Sequence, residues 1–220
     1  LHPHSGQLAL ARAGLLDAFR QIARHEDQEQ RSANPWTGEI ELGVTRPGED
    51  IDKPEIDRGE LRKLLLDALP AESLHWGHRL SCMNFGAGQR YDLVFTNGAL
   101  VEADIVIGAD GARSRVRAFL GGKQPLYTGI TFFEGWIEDP KPEITKLVGH
   151  GTLFCFGGEE AIFAQRNGKG RICVYAALKR SNAWLDEQLA AADLGTVMAS
   201  AYAAWAPQLR QLLDACGDFA

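Results

Sequence analysis

The stretch Val101-Glu102-Ala103-Asp104-Ile105-Val106-Ile107-Gly108-Ala109-Asp110-Gly111-Ala112-Arg113-Ser114-Arg115-Val116-Arg117 decides the fold. Ile105, Val106 and Ile107 form a continuous apolar run, the pattern of a strand covered on both faces, and such strands belong to α/β sheets. Gly108-Ala109-Asp110-Gly111 follows, and then a short helix over Ser114 to Leu120. A strand ending in this way lets the backbone approach a bulky ligand, sets one carboxylate at the strand's carboxyl end and opens a helix whose N-terminus favours anions. Asp110 can accept ribose hydroxyls there while the amides face a pyrophosphate. The plainer alternative is a strand-turn-helix in which Asp110 and Gly111 only make the turn and Arg113, Arg115 and Arg117 face water.

Upstream of this stretch, Tyr91 to Phe95 and Leu100 to Ile107 flank Asn97-Gly98, a strong hairpin signal, with further strands predicted over Leu74 to Trp76 and Leu80 to Phe85. Asp57 with Glu60 three positions on caps a predicted helix whose face is Leu61, Leu64, Leu65, Ala68 and Leu69, ended by Pro70. Leu8, Ala11, Leu15, Leu16 and Phe19 predict a helix of about four turns capped by Ser5, with Gly14 its weak point. Arg24 to Arg31 continues it or forms a loop. A half-buried strand is expected over 39–44 and an exposed connection over 47–54.

Downstream, Thr131 to Ile137, Thr152 to Phe156, Ala161 to Gln165 and Arg171 to Leu178 read as four strands of a mostly antiparallel sheet, the last two joined by Asn167-Gly168. Helices return from Ala183, with Trp184, Leu185, Leu189, Val197, Met198, Tyr202, Leu209, Leu212 and Leu213 as core candidates. The fold class is α/β (α+β), divided into 1–124, 125–181 and 182–220.

The chain has 220 residues, 45% hydrophobic and 24% charged, which excludes disorder and a bare coiled coil. A net charge of -6 argues against a dedicated nucleic-acid binder. No apolar run approaches the roughly 20 residues that cross a bilayer, and the start lacks signal-peptide order, so a cytoplasmic protein without stable membrane insertion is expected. The widely spaced Cys82, Cys155, Cys173 and Cys216 indicate reduced thiols rather than a zinc site or disulfide framework. Without an initiator Met, and running straight into a helix pattern, the chain reads as an internal segment of a longer one.

The Gly-Ala-Asp-Gly stretch, with Ser-x-x-Arg at Ser114 to Arg117 and the preceding hairpin, resembles the Asp-Gly fingerprint of the class A, aromatic-hydroxylase-type FAD-dependent monooxygenases. Ile56-Asp57-Arg58-Gly59-Glu60-Leu61-Arg62 resembles that family's Asn/Asp-Arg-x-x-Leu-Arg helix start, and Leu1 to Gln7 with Ala13-Gly14-Leu15 is similar to the segment after its second strand. Among these enzymes the tetracycline-inactivating flavin monooxygenases match best. The family's Gly-x-Gly-x-x-Gly is absent: Gly86-Ala87-Gly88 lacks the third glycine, and Cys216-Gly217-Asp218 is not followed by the family's Ala-Ala-His.

The resemblance implies a partial FAD-binding Rossmann-like domain over 1–124, a substrate-binding β-sheet over 125–181 and a helical segment returning toward the FAD domain over 182–220. It implies FAD as cofactor, NADPH as transient reductant, O2 as co-substrate, and a monomer hydroxylating an aromatic or polyketide-like molecule, an antibiotic included, through a flavin C4a-hydroperoxide. The cofactor-binding candidates are Arg58, Leu80, Asp110 and Gly111. Alternation sets Phe132, Glu134 and Trp136 on one face, Glu160, Ile162 and Ala164 on one face, and Cys173 and Tyr175 on one face of their strands. The substrate-binding candidates are Glu134, Glu160, Ile162, Cys173 and Tyr175. Tetracycline-inactivating relatives carry Gln, Arg and His where Glu134, Glu160 and Cys173 stand, a departure that weighs against tetracycline itself. Two carboxylates on an otherwise apolar floor favour a ligand with donors or a positive charge, unless they face water.

No catalytic acid, base or nucleophile is assigned, which suits chemistry carried by a cofactor. No metal is expected, because His75 and His78, three apart on an extended segment, point to opposite faces. The competing readings are a flavin reductase or halogenase on the same scaffold, and a flavin-free protein that sequesters a small molecule.

Overall fold

The structure, a computed structural model, describes residues 1–25, 28–41 and 52–219. It is mixed α/β and divides into two compact units, residues 1–67 with 129–220 and residues 68–128. This division by packing differs from the expected division along the chain, since residues 1–67 pack with the later sheet.

The larger unit is built on a six-stranded sheet in the order β2-β1-β7-β8-β9-β6. Its strands are β1 (Glu29–Ala33), β2 (Ile40–Glu41), β6 (Ile130–Ile137), β7 (Gly151–Phe156), β8 (Glu160–Arg166) and β9 (Ile172–Lys179). The four strands expected from alternation all form, within a residue or two of their predicted bounds. Their pairing is antiparallel, while β1 lies parallel to β7 with Glu29 opposite Gly151. The polar sequence Glu29-Gln30-Arg31-Ser32-Ala33 carries no alternation to announce that strand. Of the strand expected over 39–44, residues 42–44 lie outside the described residues, as do residues 47–51 of the expected connection.

One face of this sheet carries the core. Phe133, Ile137, Leu153, Ile162, Ala164, Ile172, Val174 and Leu178 pack against α5 (Pro142–Val148), α6 (Asn182–Ala191), α7 (Leu194–Ala201) and α8 (Pro207–Asp214). α8 contributes Leu209, Leu212 and Leu213, spaced as one helical face. Tyr202 is fully buried beneath the sheet, its hydroxyl within 3.0 Å of the Ala161 and Ala177 carbonyls. Of the predicted core residues, Leu189 is instead 46% exposed, and Trp184 is half-buried.

The predicted first helix is broken. A π-helical turn over Pro3–Gln7 leads into α1 (Leu8–Arg12), and after Gly14, whose φ is +70°, α2 (Leu16–Ile22) resumes. His2, and not Ser5, caps the start, its Nδ1 accepting the His4 N–H at 3.3 Å. α3 (Arg58–Asp67) forms where expected, but Leu65 is 42% exposed and no residue of the helix is buried.

The smaller unit holds the antiparallel sheet β3 (Leu80–Phe85), β4 (Tyr91–Phe95) and β5 (Leu100–Ala103), with α4 (Arg115–Phe119) against β3. Gly98, at φ +85°, makes the expected hairpin turn. Two expectations fail here. Leu74 to Trp76 is not a strand, because Pro70 leads into a 3-10 turn over Ala71–Ser73 and Gly77 turns the chain at φ +73°. That bend also brings the His75 and His78 rings to 5.6 Å, where an extended segment would have separated them. Ile105 to Ile107 is not a buried strand: β5 ends at Ala103, and Ile105 and Ile107 are 80% and 86% exposed. Such a run is covered only when neighbouring strands flank it, and none does among the described residues.

No helix of the described residues is long and apolar enough to cross a membrane.

Candidate functional site

The second face of the larger sheet is open. Register places Glu134 opposite Tyr175 and Tyr175 opposite Phe163, while Trp136 and Gln165 flank Cys173. Phe132, Phe154 and Phe156 gather round Phe163, with ring centroids 6.0, 5.7 and 5.4 Å from it. Beside these aromatic rings lies a cavity of about 670 Å³ whose lining includes Arg58, Glu134, Trp136, Gln165, Arg171 and Tyr175. Its lining is mostly charged and polar, with Leu1, Ile56, Leu61 and Trp136 as apolar wall, and Tyr175 is its link to the neighbouring Phe163 across the register.

The polar side is held by charges drawn from distant parts of the chain. Asp57, immediately before α3, accepts from Arg24 Nη1 at 2.8 Å and from the Gly168 N–H at 3.3 Å, and Arg171 Nη2 stands 3.7 Å away. Its side chain therefore serves this cluster. The Arg24 and Glu55 backbones pair at 2.7 and 2.9 Å, and Gln165 Nε2 donates to Glu55 Oε1 at 3.0 Å. Lys169 and Gly170, at φ +64° and +75°, turn the chain so that Arg171 enters β9 beside Asp57.

Burial alone would raise the Asp57 carboxyl, but the Arg24 hydrogen bond, the Gly168 amide and the charges of Arg24 and Arg171 outweigh it and hold the group below the usual carboxylate range. The lowered folded value means that Asp57 stabilises the fold fully where an unfolded Asp is ionised, above about pH 4–5, and ceases to do so as pH falls through the folded value. Asp57→Asn is expected to cost about 1–2 kcal/mol near neutrality, with the difference from wild type closing as pH falls through the lowered folded value. Urea unfolding of both proteins at neutral and acid pH measures this; a difference independent of pH would contradict it.

The sheet separates the five substrate-binding candidates. Glu134, Cys173 and Tyr175 share the open face, and Trp136 Nε1 donates to Glu134 Oε1 at 2.9 Å. Ile162 lies on the opposite face and is wholly enclosed in the core. Glu160 shares the parity of Ile162 and is ion-paired with Arg180, which stacks on Trp184 of α6. Burial pushes the Cys173 thiol up to about 11, the Glu134 charge adding to it while Tyr175 and Arg171 act in the other direction. Burial, Cys173 and Glu134 together raise the Tyr175 phenol. Both groups are neutral near pH 7, so they offer hydrogen bonds rather than a nucleophile. Arg24 and Gln165 were not singled out from sequence; Asn167-Gly168 between two strands was the local sign that polar strand ends meet there.

In the smaller unit Asp110 is exposed, its Oδ1 accepting from Ser114 Oγ at 2.5 Å and its Oδ2 from the Arg115 N–H at 2.7 Å. Ser114 in turn caps α4 by accepting the Arg117 N–H at 2.9 Å. These bonds hold the Asp110 carboxyl below its ordinary value. Gly111 has a φ of +79° with open space where a side chain would stand, and a Cβ at Gly108 would meet Val116 at 2.7 Å. Leu80 is half-buried at the start of β3, opposite Phe95.

Among the described residues no group of three or more His, Cys, Asp or Glu is placed to hold a metal, and the four cysteines are free thiols, Cys82 exposed.

No family model matches the chain. It is 28% identical to the monooxygenase asqM of Emericella nidulans over 192 residues, 80% of this chain and 42% of that protein. It is 28% identical to the 3-amino-4-hydroxybenzoate 2-monooxygenase PtnB3 of Streptomyces platensis over 226 residues, 98% of this chain and 54% of that protein. The chain thus spans about half the length of these curated relatives. Among solved structures, Klebsiella pneumoniae HpxO complexed with FAD and uric acid matches with a TM-score of 0.78 and 20% identity, over 98% of this chain and 55% of that one. The tetracycline destructase Tet(51) matches with a TM-score of 0.62 and 17% identity, over 97% and 55%. The fold is therefore that of FAD-dependent monooxygenases, and the curated relatives are monooxygenases.

Proposed function

We propose that this chain belongs to an FAD-dependent monooxygenase that hydroxylates a small aromatic or polyketide-like molecule, with NADPH as the reductant and O2 as the oxidant. The observation that carries the reading is the larger unit's cavity, where Trp136 and Tyr175 of the sheet meet Glu134, Arg171 and, at the start of α3, Arg58, beside the phenylalanine cluster on the same open face. HpxO with FAD and uric acid, and the hydroxybenzoate monooxygenase PtnB3, support a planar aromatic substrate. Tet(51) supports a larger, antibiotic-like one, against which stand Glu134 and Cys173 in place of Gln and His.

The residues present fit the cofactor. Gly111 leaves open space beside an exposed carboxylate that its Ser114 and Arg115 bonds keep ionised, so Asp110 retains lone pairs for sugar hydroxyls and the Gly111 backbone can approach a phosphate. Leu80 would offer apolar contact in the same unit. In the larger unit Arg58 would lie along the flavin. FAD, when bound, supplies the activation of oxygen.

This chain's residues do the rest. Phe132, Phe154, Phe156 and Phe163 would extend an aromatic surface beside the cavity for a planar substrate, whose polar edge Glu134 and Tyr175 would fix. The neutral Cys173 lies beside Tyr175 on the same face of β9. Glu160 remains a peripheral candidate, engaged by Arg180, and Ile162 supports the floor from below.

Titration of the purified chain with FAD, followed by NADPH oxidation in the presence of hydroxybenzoates and polycyclic phenols, tests the reading. Saturable quenching of flavin fluorescence and substrate-stimulated oxidation with a product heavier by one oxygen are expected. Absence of flavin binding to a folded chain that still binds phenols would favour the flavin-free sequestering reading instead.

A further inference from the structure

Glu134 lines the cavity with one oxygen held by the Trp136 indole at 2.9 Å, and it lies opposite Tyr175 in the register of β6 and β9. The Trp136 ring is itself covered: the Arg171 guanidinium lies 4.7 Å from its centroid. Arg171 is held between two carboxylates, Asp57 and Glu138, each at 3.7 Å, and its Nε donates to the Gly168 carbonyl at 3.4 Å. Asp57 is anchored by Arg24 and the Gly168 amide. A continuous chain of contacts therefore runs from the start of α3 through β9 and β6 to the Glu134 carboxylate.

Two physical consequences follow. A guanidinium stacked on an indole draws charge from the ring and strengthens the N–H as a donor, which pins one Glu134 oxygen. Asp57 and Glu138 also satisfy the Arg171 charge, so Arg171 does not swing onto Glu134, and the second carboxylate oxygen keeps its capacity for a ligand.

We propose that Asp57 and Arg171 are positioning residues for Glu134: they hold Trp136 and its hydrogen bond in place and keep the carboxylate available, so that the cavity selects aromatic ligands bearing a cationic or hydrogen-bond-donating group. This rests on the reading of the cavity as the substrate site. An arylalkylamine or aminophenol fits this chemistry, its ring against the aromatic wall of Trp136 and Tyr175 and its donor toward Glu134.

Tyramine, which carries a phenol and an ammonium, and 4-methylanisole, which carries neither, serve as probes in calorimetric titrations of the whole chain. Wild type is expected to bind tyramine about tenfold tighter than 4-methylanisole, and Glu134→Gln to erase the preference. Asp57→Asn, which removes a carboxylate from Arg171, and Trp136→Phe, which keeps an aromatic ring and removes the N–H, are expected to reduce the preference to about threefold. Asp57→Glu should restore it. A preference untouched in Asp57→Asn and Trp136→Phe, or equal loss of both probes, overturns the positioning role. A wild-type chain that binds both probes equally overturns selection by Glu134, and one that binds neither overturns the cavity as the substrate site together with this inference.

Discussion

Gly151→Ala is expected to lower the melting temperature of the chain by about 6–12 °C, corresponding to roughly 3 kcal/mol for a protein of this size. Gly151 is buried at the start of β7 where β1 lies parallel to it, and a Cβ built there falls 1.9 Å from the Glu29 carbonyl oxygen and 2.6 Å from its nitrogen. Backbone cannot turn aside as a flexible side chain can, so β1 has to move by more than an ångström. The move takes with it the Glu29 N–H bond to the His150 carbonyl at 2.8 Å, the Glu29 carboxylate's bond from the His150 N–H at 2.7 Å and the Glu29–Arg31 pair at 2.6 Å. Gly59→Ala is the contrasting substitution. Its Cβ meets nothing within 4 Å and it lies inside α3, so alanine should stabilise by about 0.5–1 kcal/mol through reduced backbone entropy. Differential scanning calorimetry of the two variants measures both. A Gly151→Ala protein melting within about 2 °C of wild type would show that β1 does not pair with β7.

Asp110→Ala is expected to weaken FAD binding by about 10–100-fold, the effect of losing a charged acceptor that serves ligand hydroxyls. The substitution also removes the acceptor for Ser114 Oγ and the Arg115 N–H, so the turn before α4 loosens around a buried cap residue. Ser114→Ala separates these two contributions: it spares the carboxylate and removes the cap, and should cost far less affinity than Asp110→Ala. Flavin fluorescence quenching gives the affinities, and circular dichroism shows that the variants are folded. Equal FAD affinity in wild type and a folded Asp110→Ala would remove Asp110 from the proposed cofactor site.

Much of this fold is legible in the residues. Alternation in β6, β7, β8 and β9, the Asn97-Gly98 turn, the Leu209, Leu212 and Leu213 stripe, and the short helix after Ser114 all form as the local pattern demands. Each depends on neighbours within a few positions, where steric and hydrogen-bond preferences act alone. The candidate site was legible in part for the same reason. Parity within β6 joins Phe132, Glu134 and Trp136 on one face, and parity within β9 joins Cys173 and Tyr175.

Sequence by itself determined which residues share a face of each strand, where most strands and helices run, and that a short helix follows the Gly-Ala-Asp-Gly stretch. Only the tertiary structure decided which face of β8 meets the helices, sending Ile162 into the core and Glu160 to Arg180 while Glu134 stays with the cavity. Parity is a property of one strand, whereas the facing of neighbouring strands follows from register and from which side the helices cover. The polar β1 likewise forms through pairing with β7, more than 100 residues away, and Asp57, which stands just before α3 as expected with its carbonyl accepting from Leu61 N–H at 3.0 Å, turns its carboxylate to Arg24 and Arg171. Coulomb and hydrogen-bond partners so distant in sequence leave no periodic trace in it; their meeting is set by the packing of the sheet that brings them together.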